Sequence, residues 1–123
     1  MMMQRPVALV TGSTSGIGAA IARRLSHDGY AVILHSRSSV ATGQAMASEL
    51  AEARYIQADL AVEADRSRLI REAVAAWGRL DILVNNAGIS GMIPHTDLAA
   101  ATPAIWQSLY EINVVAPFRL ITH

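Results

Sequence analysis

The sequence predicts an α/β fold: a doubly wound parallel sheet with strand order 3-2-1-4 and no pattern for further strands after about the fourth. Three observations lead there. Short apolar runs alternate with amphipathic stretches along the chain. The runs are apolar at successive residues rather than at every second one, as in parallel strands covered on both faces. A glycine loop, Thr11-Gly12-Ser13-Thr14-Ser15-Gly16-Ile17-Gly18, joins the first run to the first amphipathic stretch. With right-handed crossovers, that arrangement sets the strand order.

The elements follow in sequence. Val7 to Thr11 is a β-rich run, and Ile17 to Asp28 repeats Ile17, Ile21 and Leu25 at helical spacing before Gly29 closes it. Ala31 to Leu34 is the second strand, and Val40 to Ala53 a second helix with Ala47, Leu50 and Ala51 on one face. Arg54 to Ala58 is a third, shorter strand. Glu63 to Trp77 is a third helix with Leu69, Ile70, Ala73, Val74 and Trp77 inward and Gly78 at its end. Asp81 to Asn85 is the fourth strand, Gly88 to Pro103 a loop, and Ala104 onward a last helix. Residues 1–123 read as one dinucleotide-domain-sized unit, incomplete at the carboxyl end, because strand four would stand as an unpaired edge. A free chain of this kind is expected to be marginally stable or to depend on a partner.

Composition narrows the class. Apolar residues make up 52% of the 123, which excludes a disordered chain. Ten basic and ten acidic residues balance to zero, so no broad footprint for nucleic acid or an acidic membrane is expected. Cysteine is absent, and His27, His35, His95 and His123 form no i,i+4 pair, so no metal site is read. No leader is read in the first residues and no segment is long enough to span a bilayer, which makes a cytoplasmic protein the expectation. All ten basic residues are arginine; there is no lysine.

The chemistry collects at the strand ends. A strand, a glycine turn and a helix start bring main chain close to a phosphate, and the N–H groups at the helix start face the anion. Ser13, Thr14 and Ser15 add hydroxyl donors without bulk. Asn85-Asn86-Ala87-Gly88 lies at the carboxyl end of strand four, bordering the crevice where open α/β sheets bind ligands. Small residues there let main chain approach a ribose, and the asparagines tie strand ends together. Strand two ends in His35-Ser36-Arg37-Ser38. Domains that prefer NAD usually carry a carboxylate at this place; here Ser36 occupies it and Arg37 follows. A guanidinium pairs with a 2′-phosphate that a carboxylate would repel, so NADP is expected over NAD. His95 reads as a loop histidine, Thr96 and Asp97 as a helix cap, Trp77 and Trp106 as packing residues, and Asp81 as leading into strand four.

Thr11-Gly-x-x-x-Gly16-Ile17-Gly18, Asp59-Leu60, Asn85-Asn86-Ala87-Gly88 and Asn113, in that order, resemble the short-chain dehydrogenase/reductase family, specifically the amino-terminal half of a 3-oxoacyl-reductase-like member. The resemblance implies a Rossmann-like fold and assigns roles. Gly12, Ser13, Thr14, Ser15, Gly16, Ile17 and Gly18 would cradle the pyrophosphate. Asp59 would contact the adenine with Leu60 beside it, and Asn86, Ala87 and Gly88 would line the nicotinamide-side ribose. Thr11 would hold the loop to the Asn-Asn strand end. Asn113 would be the asparagine of the family's catalytic tetrad, which positions a water beside a lysine.

The family's acid–base tyrosine belongs to a Tyr-x-x-x-Lys pair, whose members share one helical face. Tyr30, Tyr55 and Tyr110 are followed four residues later by Leu34, Asp59 and Val114, so none carries the pair. The expectation is therefore the cofactor half of an NADP-dependent reductase acting on a small carbonyl or alcohol, homo-oligomeric when complete and inactive as these 123 residues alone. The rival is a non-catalytic dinucleotide-binding or oligomerisation module.

Overall fold

The computed structural model describes residues 5–87, 103–104 and 120–121. Strands β1 (Val7–Val10), β2 (Ala31–Ser36), β3 (Ala53–Gln57) and β4 (Ile82–Val84) form one parallel sheet in the order β3-β2-β1-β4. Helices α1 (Gly16–His27), α2 (Val40–Glu49) and α3 (Glu63–Trp77) connect them.

The uniformly apolar strands have the cause the sequence suggested. Val7 and Leu9 of β1, with Ala31 and Ile33 of β2, pack with Leu69, Ile70 and Ala73 of α3 on one face. Val10, Val32 and Leu34 point the other way and pack with Ala22 of α1 and Met46 of α2. Every residue of β1 is buried, so alternation would have left one face polar against a helix. The chain passes from β1 to β2 on one side of the sheet's centre and from β3 to β4 on the other. Its carboxyl strand ends therefore open at the switch point where α/β sheets accept ligands.

Several boundaries and faces differ from expectation. The apolar stripe read on α1 is displaced: Ile17 is 74% exposed, and the buried residues are Gly18 and Ala22, with Ile21 and Leu25 flanking. Small residues let this helix close on the sheet, so burial follows size rather than hydrophobicity. α2 ends at Glu49 instead of running to Ala53, because Ala53 pairs with Val32 as the first residue of β3. β2 continues through His35 and Ser36, whose polar groups find partners inside the protein. Val74 of α3 is 39% exposed rather than inward. α3 matches its expected span and stops at Gly78, which is left-handed at φ 76°. Of the loop and last helix read after Ala87, only Pro103, Ala104, Leu120 and Ile121 are among the described residues, all four helical; His95, Thr96, Asp97 and Trp106 lie outside them.

Candidate cofactor site

The carboxyl ends of β1, β2 and β3, with the segment after β4, enclose a cavity of about 450 Å³ lined by Gly12, Thr14, Ser15, His35, Ser36, Arg37, Ala58, Asp59, Leu60, Asn86 and Ala87. Nine of the residues singled out in the sequence thus meet at one place: Gly12, Thr14, Ser15, Ser36, Arg37, Asp59, Leu60, Asn86 and Ala87.

Thr11 joins β1 to β4. Its buried hydroxyl accepts N–H groups from Asn86 at 3.1 Å and Ala87 at 3.0 Å and lies 3.3 Å from the Val84 carbonyl, to which it donates. The Asn86 amide donates to the Gly12 carbonyl at 3.1 Å. Two strand ends across the crevice are thereby fixed relative to each other. Gly12 has φ +61°, a conformation that L side chains avoid, and an added Cβ would come within 3.0 Å of the Ala87 main chain. Gly18 is tighter still: a Cβ there would overlap the Gly12 carbonyl oxygen and the Asn86 amide.

The hydroxyls divide in two. Ser13 is fully buried and faces inward, accepting the His35 main-chain N–H at 2.9 Å. Ser36 is buried, accepts the Ser39 N–H at 3.1 Å and is hydrogen-bonded to the Tyr55 hydroxyl. Thr14 and Ser15 line the cavity, which Ser36 also borders. Ser15 is the N-cap of α1, yet its side chain makes no capping hydrogen bond, and the first helical turn holds no acidic residue. The positive end of the helix therefore meets the cavity with no carboxylate of its own helix beside it. Gly16, Ile17 and Gly18 open α1 and are not among the residues lining the cavity. Gly88 and Asn113 lie outside the described residues.

His35 is the residue that sequence reasoning missed. Its ring is 2% exposed; Nδ1 accepts the Gly12 N–H at 3.1 Å and Nε2 donates to the Ala58 carbonyl at 2.9 Å. One neutral imidazole thus pins the ends of β1, β2 and β3 together, and this pattern fixes its tautomer. Burial pushes its pKa below the ordinary histidine value, opposed by the Ala58 hydrogen bond. A polar residue continuing an apolar strand was the available signal.

Asp59 is set by α3. Its N–H donates to Asp65 at 2.8 Å, its Oδ1 accepts the Ala61 N–H at 3.0 Å, and buried Arg66 holds the Leu60 carbonyl at 2.7 Å. Arg37 is exposed at the cavity rim, and its guanidinium has no hydrogen-bond or ion-pair partner among the described residues.

A profile of short chain dehydrogenases matches residues 6–123. The chain belongs to the short-chain dehydrogenase family. Over 94% of its length it is 50% identical to a protein of Streptomyces violaceoruber described as ketoacyl reductase 2 of the granaticin polyketide synthase, covering 47% of that protein. It is 40% identical over 90% of its length to human dehydrogenase/reductase SDR family member 4, covering 40% of it. Among solved structures, a blue fluorescent protein from a metagenomic library in complex with NADPH superimposes with TM-score 0.87 at 39% identity, with 95% of this chain and 49% of that one covered. A 3-ketoacyl-(acyl-carrier-protein) reductase from Brucella melitensis complexed with NADH gives 0.86 at 31% identity, covering 95% and 48%. This short-chain dehydrogenase chain thus spans about half the length of the curated relatives it matches. No helix among its described residues is long and apolar enough to cross a membrane, and no group of three potential metal ligands occurs there.

Proposed function

We propose that this chain is the NADP-binding half of a reductase that moves hydride between the nicotinamide and a small carbonyl or alcohol. The observation that carries the cofactor choice is Arg37 at the cavity rim, with Ser36 at the end of β2 where a carboxylate would select NAD. The guanidinium is positively charged and exposed, and a 2′-phosphate is a bidentate acceptor for it.

The residues suit the rest of the group too. Gly12 and Gly18 leave main chain bare where a Cβ would intrude, and Ser15 and Thr14 offer hydroxyls at the α1 N-terminus, which suits a pyrophosphate. Asp59 and Leu60 border the place for the adenine, and Asn86 and Ala87 the ribose on the nicotinamide side, a role assigned to Gly88 as well. Ser13, Gly16 and Ile17 complete the same pyrophosphate cradle. The bound nicotinamide supplies the hydride chemistry. This chain's part is to orient it and hold its charges. Asn113 is assigned to positioning a water, and a homo-oligomer is proposed for the complete enzyme. The 123 residues contain no lysine, so the acid–base Tyr-x-x-x-Lys pair is not among them, and these residues alone bind cofactor without turnover.

Titrating wild type and Arg37→Ala with NADPH and NADH tests the reading. Losing a charge-assisted contact of about 1.5–3 kcal/mol should weaken NADPH binding on the order of 10- to 100-fold and leave NADH unchanged. An unchanged preference in the variant would refute the assignment.

A further inference from the structure

Arg37 sits in the turn between β2 and α2, and its aim depends on what holds that turn. Two side chains from β3 do so. The Tyr55 hydroxyl is hydrogen-bonded to the Ser36 hydroxyl and approaches the Ser36 carbonyl at 3.4 Å. Ser36 in turn accepts the Ser39 N–H at 3.1 Å, closing the turn around Arg37. On the other side, the Gln57 amide donates to the Arg37 carbonyl at 2.8 Å. Main chain before and at Arg37 is therefore tied to two alternate residues of one strand.

The seat of Tyr55 is specific. Its half-buried ring lies against α2 at Gly43, where any Cβ would overlap the ring. Packing alone would be served by phenylalanine; the hydroxyl adds the link to Ser36. Turns that are free to rearrange lose ordering entropy on binding, whereas a turn tied in advance does not.

We propose that Tyr55 and Gln57 are positioning residues for cofactor choice, presetting the 36–39 turn so that Arg37 faces the adenosine 2′-phosphate. The proposal rests on the NADP reading. It goes beyond that reading in placing part of the discrimination in β3, on side chains that do not line the cavity.

Two single variants test it, with NADPH and NADH dissociation constants and melting temperature as readouts. Tyr55→Phe keeps the ring on Gly43 and removes only the hydroxyl; exposed Gln57→Leu removes the second tie independently. Each is expected to weaken NADPH binding about three- to tenfold, the worth of one hydrogen bond, with NADH affinity unchanged. A purely structural role would instead lower melting temperature and weaken both cofactors together. That outcome, or an unchanged NADPH-to-NADH ratio in both variants, overturns the proposal. Wild type without a preference for NADPH is a separate result, visible before any variant is made: it overturns the NADP reading and this inference with it.

Discussion

A buried imidazole that accepts a main-chain N–H must stay unprotonated, and His35 is such a group. Its pKa is lowered by burial, so between that value and the ordinary one near about 6.5 the unfolded chain binds a proton that the folded chain does not. Stability is full above about 6.5 and falls as pH drops through this window toward the lowered value. Protonation would also set Nδ1–H against the Gly12 N–H, so the glycine loop loosens with it. Melting curves across this range should show an acid limb that is shallower in His35→Phe; identical limbs would remove His35 from the account. Thr11 offers a second test. Thr11→Val leaves the Ala87 N–H without its acceptor and the Asn86 N–H with the Val84 carbonyl alone, and should lower unfolding free energy by about 2 kcal/mol in denaturant titration. Thr11 was legible through the family resemblance, which assigns it to holding the loop to the Asn-Asn strand end. The inward role of Ser13 was not: a loop serine looks the same whether it faces a ligand or main chain.

Secondary elements were legible where periodicity and packing agree, and α3 is the clearest case, from its acidic first turn to Gly78. They were misread where tertiary pairing overrode local preference. Ala53 is a good helix former, yet it joins the sheet because it pairs with Val32, whose N–H donates to the neighbouring Glu52 carbonyl at 2.9 Å. On α1 the misreading came from weighting large apolar residues, when the close approach belongs to Gly18 and Ala22. Gly18→Ala sets two effects against each other. Helix propensity favours alanine by about 1 kcal/mol, but the new methyl overlaps a carbonyl oxygen of the loop, and overpacking costs about 1–3 kcal/mol. Overpacking should win, lowering stability and weakening NADPH binding at least tenfold. A stabilised variant with intact binding would show that the loop yields easily.

Taken whole, the domain is a sheet covered on both faces whose open end is drawn together by few side chains: Thr11 and Asn86 across β1 and β4, His35 across β1, β2 and β3, Tyr55 between β3 and β2. The order 3-2-1-4 was readable because both-face burial and a phosphate-type loop leave few topologies. The ties through His35 and Tyr55 were not, because they join residues 19 or more positions apart through polar atoms that no periodicity marks. A ligand that bridges these ends should stabilise the entire fold. At a hundredfold excess over its dissociation constant, NADPH should add about 2.7 kcal/mol and raise the melting temperature by several degrees, more than NADH at equal concentration. The decisive measurement is a crystal structure of the protein with NADPH. It should place the pyrophosphate against Gly12, Thr14 and Ser15 and the 2′-phosphate within hydrogen-bond distance of the Arg37 guanidinium. NADPH bound away from the glycine loop, or with its 2′-phosphate remote from Arg37, would contradict the account.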